Sequence, residues 1–170
     1  EHQGKVDLER NLVSVNPDPT VKRSPEGPLS GIRVLTFAHA WSGPFATELL
    51  GLLGAEVVQI EAPHRSDVWR RTGNSVPEGV KDENSVQHHL NTQGLYNSAN
   101  LNKRAMTLDM SKEEGRDIFW RLVPHFDVLL ENFTPQIMGK WEVSLESLEE
   151  RRPGIVFASL SAYGATGPYR

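Results

Sequence analysis

Residues 32–61 constrain this chain more than any other stretch: an apolar run, a turn reading His39-Ala40-Trp41-Ser42-Gly43-Pro44, a helical pattern, then a second apolar run. Ile32, Val34, Leu35 and Phe37 suit a strand buried on both faces of a parallel sheet better than a half-exposed hairpin strand. Pro44 fits the first turn of the helix, where a missing N–H costs nothing. Phe45, Leu49, Leu52 and Leu53 recur at helical spacing, and Gly54 supplies a stop. Val57, Val58 and Ile60 then make the second strand. A ligand of such a βαβ unit lies outside the carboxyl ends of the strands, where the turn at 39–43 falls. A nicotinamide-binding turn would read G-x-G-x-x-G so that backbone can approach a pyrophosphate. This turn has one glycine and an indole, which points to a bulky contact other than a dinucleotide.

The alternation continues along the chain. A polar loop, 62–93, carries Trp69, Arg70 and Arg71 near its start, and a strand is expected over 105–109. Ser111, with Glu114 three residues on, reads as a capping box opening a helix that holds Ile118, Phe119, Leu122 and Val123. Val128, Leu129 and Leu130 make a buried strand ending at Glu131-Asn132-Phe133. A short helix or turn over 134–141, a helix over 145–151 capped by Ser144, and a strand over 155–160 complete the order. The pattern predicts an α/β domain with a mostly parallel sheet and flanking helices. Residues 1–30, with Pro17, Pro19, Pro25 and Pro28 and no periodicity, are expected to form an extended arm ahead of a domain over 31–170. A first residue that is not Met and a final Gly/Pro loop suggest a piece of a longer protein.

Composition excludes several classes. At 170 residues and 38% apolar, the chain suffices for one domain with a sizeable core. A net charge of −4 with interspersed signs argues against a nucleic-acid binder. No cysteine is present, which removes disulfide and thiolate chemistry and favours a reducing, cytoplasmic compartment. The apolar runs are too short to span a bilayer. Asn132-Phe133-Thr134 matches a glycosylation acceptor, but no secretion signal accompanies it. His88 and His89 lack a third ligand at metal spacing, so no metal is expected.

Three strand ends converge on one rim of such a sheet: His39-Ala40-Trp41-Ser42, Glu131-Asn132-Phe133 and Ser161-Ala162-Tyr163-Gly164. Each mixes a ring with hydrogen-bonding groups, which suits a planar heteroaromatic ligand with polar edges. The same rings would serve equally as a roof over the core. His39 is open to three readings, as a base, a phosphate partner or a satisfied core imidazole. Lys103, Arg104 and Lys140 are either phosphate ligands or solvated cations.

Several motifs together resemble class III CoA-transferases. They are Gly31-Ile32-Arg33-Val34-Leu35, Ser42-Gly43-Pro44-Phe45-Ala46-Thr47, and Leu53-Gly54-Ala55-Glu56-Val57-Val58-Gln59-Ile60-Glu61-Ala62-Pro63. Asn102-Lys103-Arg104 with Leu108-Asp109-Met110, then Asp127-Val128-Leu129-Leu130-Glu131-Asn132-Phe133, then Ser161-Ala162-Tyr163-Gly164-Ala165-Thr166-Gly167-Pro168-Tyr169 follow in the family's order. The resemblance implies a Rossmann-like domain holding CoA or acyl-CoA as substrate, the N-terminal part of an interlocked dimer, homomeric or heteromeric. Position by position it implies a CoA site of His39, Ala40, Trp41, Ser42, Arg104, Leu108, Asp109, Met110, Asn132, Phe133 and Lys140. Ala62 stands where some members place a phosphate-binding arginine, with His64 or Arg65 as substitutes, and Ser111 replaces a basic residue.

The resemblance also implies transfer of CoA between carboxylic acids through an aspartyl nucleophile, a carboxylate dividing one hard acyl transfer into easier steps. That aspartate is expected beyond Arg170, so no catalytic residue is assigned within 1–170, and Asp109, Glu61 and Glu131 read as structural. The alternatives are an α-methylacyl-CoA racemase-like isomerase and a non-catalytic partner subunit.

Overall fold

The apolar runs become five short strands in one parallel sheet. These are β1 (Arg33–Thr36), β2 (Glu56–Glu61), β3 (Lys103–Thr107), β4 (Val128–Glu131) and β5 (Val156–Ser159), in the order β3-β2-β1-β4-β5. The computed structural model describes residues 27–71 and 89–168, so the expected arm enters only through residues 27–30. There Leu29 donates its N–H to the Leu53 carbonyl and packs on the sheet.

Alternation along the strands assigns the two faces. Leu35, Phe37, Ile60 and Leu129 point to one side, where Phe119, Leu122, Met138 and Leu148 cover them. Those four come from α3 (Glu113–Leu122), α4 (Gln136–Lys140) and α5 (Leu145–Glu149). Val34 and Val57 point to the other side with Ala55, against Leu50 of α1 (Ser42–Leu52). A short α2 (Gly94–Ser98) leads into β3. The order of strands reverses between β1 and β4. That reversal leaves a crevice at the carboxyl ends of these two strands, the place where doubly wound sheets bind ligands.

Three local expectations change. The apolar stripe of α1 faces outward: Phe45, Leu49 and Leu52 are exposed, and the helix turns Gly43, Pro44, Thr47, Glu48 and Gly51 inward. The inner face is small because the helix sits close to the sheet; a Cβ on Gly43 would collide with the Cβ of Ala38. Thr47 satisfies its hydroxyl within the helix, donating to the Gly43 and Pro44 carbonyls at 2.9 and 3.0 Å. Helical period alone identifies a stripe without saying which side of the helix the sheet takes.

The capping box at Ser111 does not form. Asp109 Oδ1 accepts from the Ser111 N–H (3.0 Å) and hydroxyl (2.6 Å), a local turn that draws the serine away from the helix, and α3 starts after Lys112. β3 lies two residues earlier than expected: its ladder to β2 closes with the Leu108 N–H on the Glu61 carbonyl, and Asp109 already belongs to the turn it makes with Ser111. Ser144 does cap α5, in a reciprocal pair with Ser147.

Candidate CoA-binding rim

The turn after β1 leaves the sheet without a glycine, and Ala40 takes a left-handed conformation with φ 63°. A non-glycine residue there is strained unless its neighbours hold it. Side chains from three other segments do so. Just beyond β4, Asn132 accepts the His39 N–H on Oδ1 (2.8 Å) and donates Nδ2 to the His39 carbonyl (2.7 Å). A carboxamide is the side chain that can do both at once. Asp67 Oδ2 accepts the Ala40 N–H at 2.8 Å, and Gln59 Nε2 donates to the Ala38 carbonyl.

Rings surround this locked turn. Trp41, 53% exposed, stacks parallel on Phe45 at 5.6 Å and meets Trp69 at 5.1 Å. His39 meets the edge of Phe133 at 5.6 Å, and Phe133 in turn packs on Trp141. Burial lowers the pKa of His39, Asp67 and Glu61 pulling it partly back and Arg70 opposing them, so the imidazole is neutral at neutral pH. Ser42 begins α1, with its hydroxyl 3.4 Å from Asn132 Nδ2, and no side chain caps this helix. The rim therefore offers an exposed indole face beside helix N–H groups, suited to an aromatic ring with anionic substituents.

Behind the rim lies a buried polar cluster. Glu61 Oε1 accepts from the Tyr96 hydroxyl (2.7 Å) and Arg70 Nη2 (2.7 Å), while Oε2 accepts from Arg70 Nε (2.9 Å) and the Asp67 N–H (2.9 Å). The Arg70 guanidinium also lies 3.6 Å from the Tyr96 ring centroid. Burial would raise the Glu61 pKa, but the bonds from Arg70, the Asp67 N–H and Tyr96 hold it below the ordinary carboxylate range. Burial and the bond to Glu61 push the Tyr96 phenol up. Burial pulls the Lys103 amine down to about 8, against Glu48 and Asp67; it donates to the Pro44 and Ala99 carbonyls and to Asn100 Oδ1.

His39, Ala40, Trp41, Ser42, Asn132 and Phe133 thus come together at the switch point. Leu108 and Met110 give their side chains to the core, leaving the main chain and Asp109 as what a ligand can reach. Asp109 is held by Ser111 and lies 3.6 Å from His64. Arg104 pairs in register with Val58, itself beside Leu35, so it sits about 13 Å along the strands from His39. There it bonds Glu56 at 2.7 Å and lines a separate polar cavity of about 450 Å³ with Gln59, Arg70, Tyr96 and Lys103. Lys140 ends α4 and is exposed. Ala62 bridges back to Arg65, which is exposed. Tyr163, past β5, is exposed. Of His88 and His89, the first lies outside the described residues. Glu131 is buried, with Oε2 accepting the Phe133 N–H.

The sequence reading left Asp67, Glu61, Arg70 and Tyr96 without a part in the site. The signals the sequence holds for them are the motif ending at Glu61-Ala62-Pro63 and Trp69-Arg70-Arg71 at the head of a long loop.

Comparison with known proteins decides the family. The sequence model of CoA-transferase family III matches residues 29–170. The chain belongs to CoA-transferase family III. Among relatives, it is 38% identical over 143 residues to the succinyl-CoA–L-malate CoA-transferase alpha subunit of Chloroflexus aurantiacus, covering 84% of this chain and 31% of that protein. It is 38% identical over 141 residues to a formyl-CoA:oxalate CoA-transferase of Streptomyces coelicolor, covering 83% and 31%. A CAIB/BAIF family crystal structure from Brucella suis superposes with a TM-score of 0.71 at 32% identity, covering 85% of this chain and 36% of that one. The family III chain spans about a third of the length of the curated relatives it matches. Among the described residues, no helix is long and apolar enough to cross a membrane.

Proposed function

We propose that this chain is the CoA-binding N-terminal part of an acyl-CoA:carboxylate CoA-transferase of the cytoplasm. The observation that carries the reading is the pair of hydrogen bonds by which Asn132 fixes His39 across the β1–β4 crevice, with Trp41 and Ser42, at the start of α1, exposed beside it. An adenine ring stacks on an indole, and phosphates are favoured at free helix N–H groups. Asp109 and the main chain of 108–110 stand at the next strand end for a ribose, and Arg104 and Lys140 supply positive charge further out. The substrates are an acyl-CoA and a carboxylic acid, and the nucleophilic aspartate is supplied by sequence beyond Arg170. Residues 1–170 bind and orient CoA without turning it over.

The assembly is an interlocked dimer. Its heteromeric form, in which this chain is one of two unlike subunits, is supported by similarity to proteins named alpha and beta subunits of one succinyl-CoA–L-malate CoA-transferase.

Calorimetric titration of residues 1–170 with CoA is expected to give saturable 1:1 binding. Mass-spectrometric assay of the same preparation with succinyl-CoA and a dicarboxylate acceptor is expected to show no transfer. Absence of CoA binding contradicts the site, and transfer by residues 1–170 alone contradicts the division of roles.

A further inference from the structure

The rim contains a carboxylate that touches no solvent and bonds two main-chain turns at once. Asp67 is 1% exposed. Its Oδ2 accepts the N–H of Ala40, the strained residue before Trp41, and its Oδ1 accepts the N–H of Trp69 at 2.8 Å. The two turns it joins carry the two indoles that meet at 5.1 Å. Its own N–H is anchored on Glu61, which Arg70 and Tyr96 hold in turn.

We propose that Asp67 is a positioning residue that clamps the Trp41 turn to the Trp69 turn and so builds the indole surface of the CoA-binding rim. This deepens the proposed function and rests on it for the ligand. The chemistry requires a carboxylate in particular. Both partners are N–H donors, and only a side chain with two acceptor oxygens serves both. Asparagine has the same shape, yet in either amide orientation its NH₂ faces one of the two N–H groups. The clamp also answers the backbone. Ala40 has no glycine freedom, so its left-handed φ needs an external bond to persist.

Asp67→Asn tests this in the intact protein through two independent readouts. The first is CoA affinity, expected to fall about tenfold, the loss that accompanies one unsatisfied buried donor. The second is the far-UV circular dichroism couplet that two coupled indoles produce, assigned by its loss in Trp69→Phe and expected to vanish in Asp67→Asn. Ala40→Gly in the Asp67→Asn background relieves the strained φ and is expected to restore binding several-fold. Should Asp67→Asn not fold, Asp67→Ser, which retains one acceptor, is expected to weaken the couplet and the affinity together.

A couplet and an affinity unchanged in a folded Asp67 variant overturn the clamp. So does a binding defect that Ala40→Gly leaves untouched. If the wild-type protein binds no CoA, the functional reading falls, while retention or loss of the couplet still decides the clamp.

Discussion

Replacing Arg70 with methionine is expected to destabilise the protein by roughly 3–5 kcal/mol, the cost of leaving a buried carboxylate without its partner. The side chains of Arg70 and Glu61 are 11% and 10% exposed, so water does little to screen or replace the interaction. Arg70 supplies three contacts to the two Glu61 oxygens and also bonds Asn91 Oδ1 and the Leu90 carbonyl. Its loss therefore loosens the 61–70 segment from the 90–96 segment, leaving the Tyr96 hydroxyl on Glu61 as a remaining tie. Arg70→Met combined with Glu61→Gln is expected to recover part of the loss, because no uncompensated charge remains. Denaturant unfolding of the two single variants and the double variant measures the coupling.

The pH dependence has a definite sign. The folded-state pKa of Glu61 is held below its unfolded value, about 4.3 for a free glutamate. Its contribution is therefore present above that value and is lost as pH falls through the lower, folded pKa. Without Arg70, burial is opposed only by the bonds from the Asp67 N–H and Tyr96, so the Glu61 pKa moves up from its wild-type position. The unfolded chains titrate Glu61 alike, so the difference in stability between wild type and Arg70→Met is expected to be full at neutral pH and to shrink as pH falls from the higher carboxyl pKa of the variant through the depressed one of wild type. A difference independent of pH would remove Glu61 from the explanation.

Asn132→Asp is expected to weaken CoA binding by about 10–100-fold. The substitution keeps shape and the acceptor for the His39 N–H. Its second oxygen, however, replaces the amide donor 2.7 Å from the His39 carbonyl, so a hydrogen bond becomes a repulsion between two oxygens. The β1 turn must then move, carrying Trp41 and the start of α1 with it. Titration calorimetry against CoA, with thermal melting to confirm the fold, checks this. Affinity equal to wild type in a folded Asn132→Asp protein would detach the His39 lock from the site.

Much of the frame was legible from local pattern. The nearly unbroken apolar run at 32–37 and the continuous one at 128–130 mark central parallel strands, and strand ends in an α/β sheet share one rim, which places His39 to Ser42 beside Asn132 and Phe133. The resemblance gave those positions a common ligand. The orientation of α1 was not legible, because its apolar stripe at Phe45, Leu49 and Leu52 faces away from the sheet while glycine, threonine and glutamate face inward. Close approach of the helix, set by Gly43 against Ala38, decided that, and hydrophobic period carries no such information.

The Glu61 cluster was hidden for a different reason. Its bonds join residues 6, 9 and 35 positions apart, and those from Asp67 to Ala40 span 27. Nothing in the spacing of Asp67, Arg70 and Tyr96 marks them as partners of one carboxylate or of the β1 turn. Leu108 and Met110 show the converse. Their place in a family motif marks them as candidates for the ligand site, but their side chains belong to the core.

Hydrogen–deuterium exchange with and without saturating CoA tests the central claim most directly, because it locates the ligand on the chain without a substitution. The account predicts slowed exchange in peptides spanning residues 39–45 and 132–134, the two sides of the β1–β4 crevice. Protection confined to other segments, or no change in these two, would contradict it.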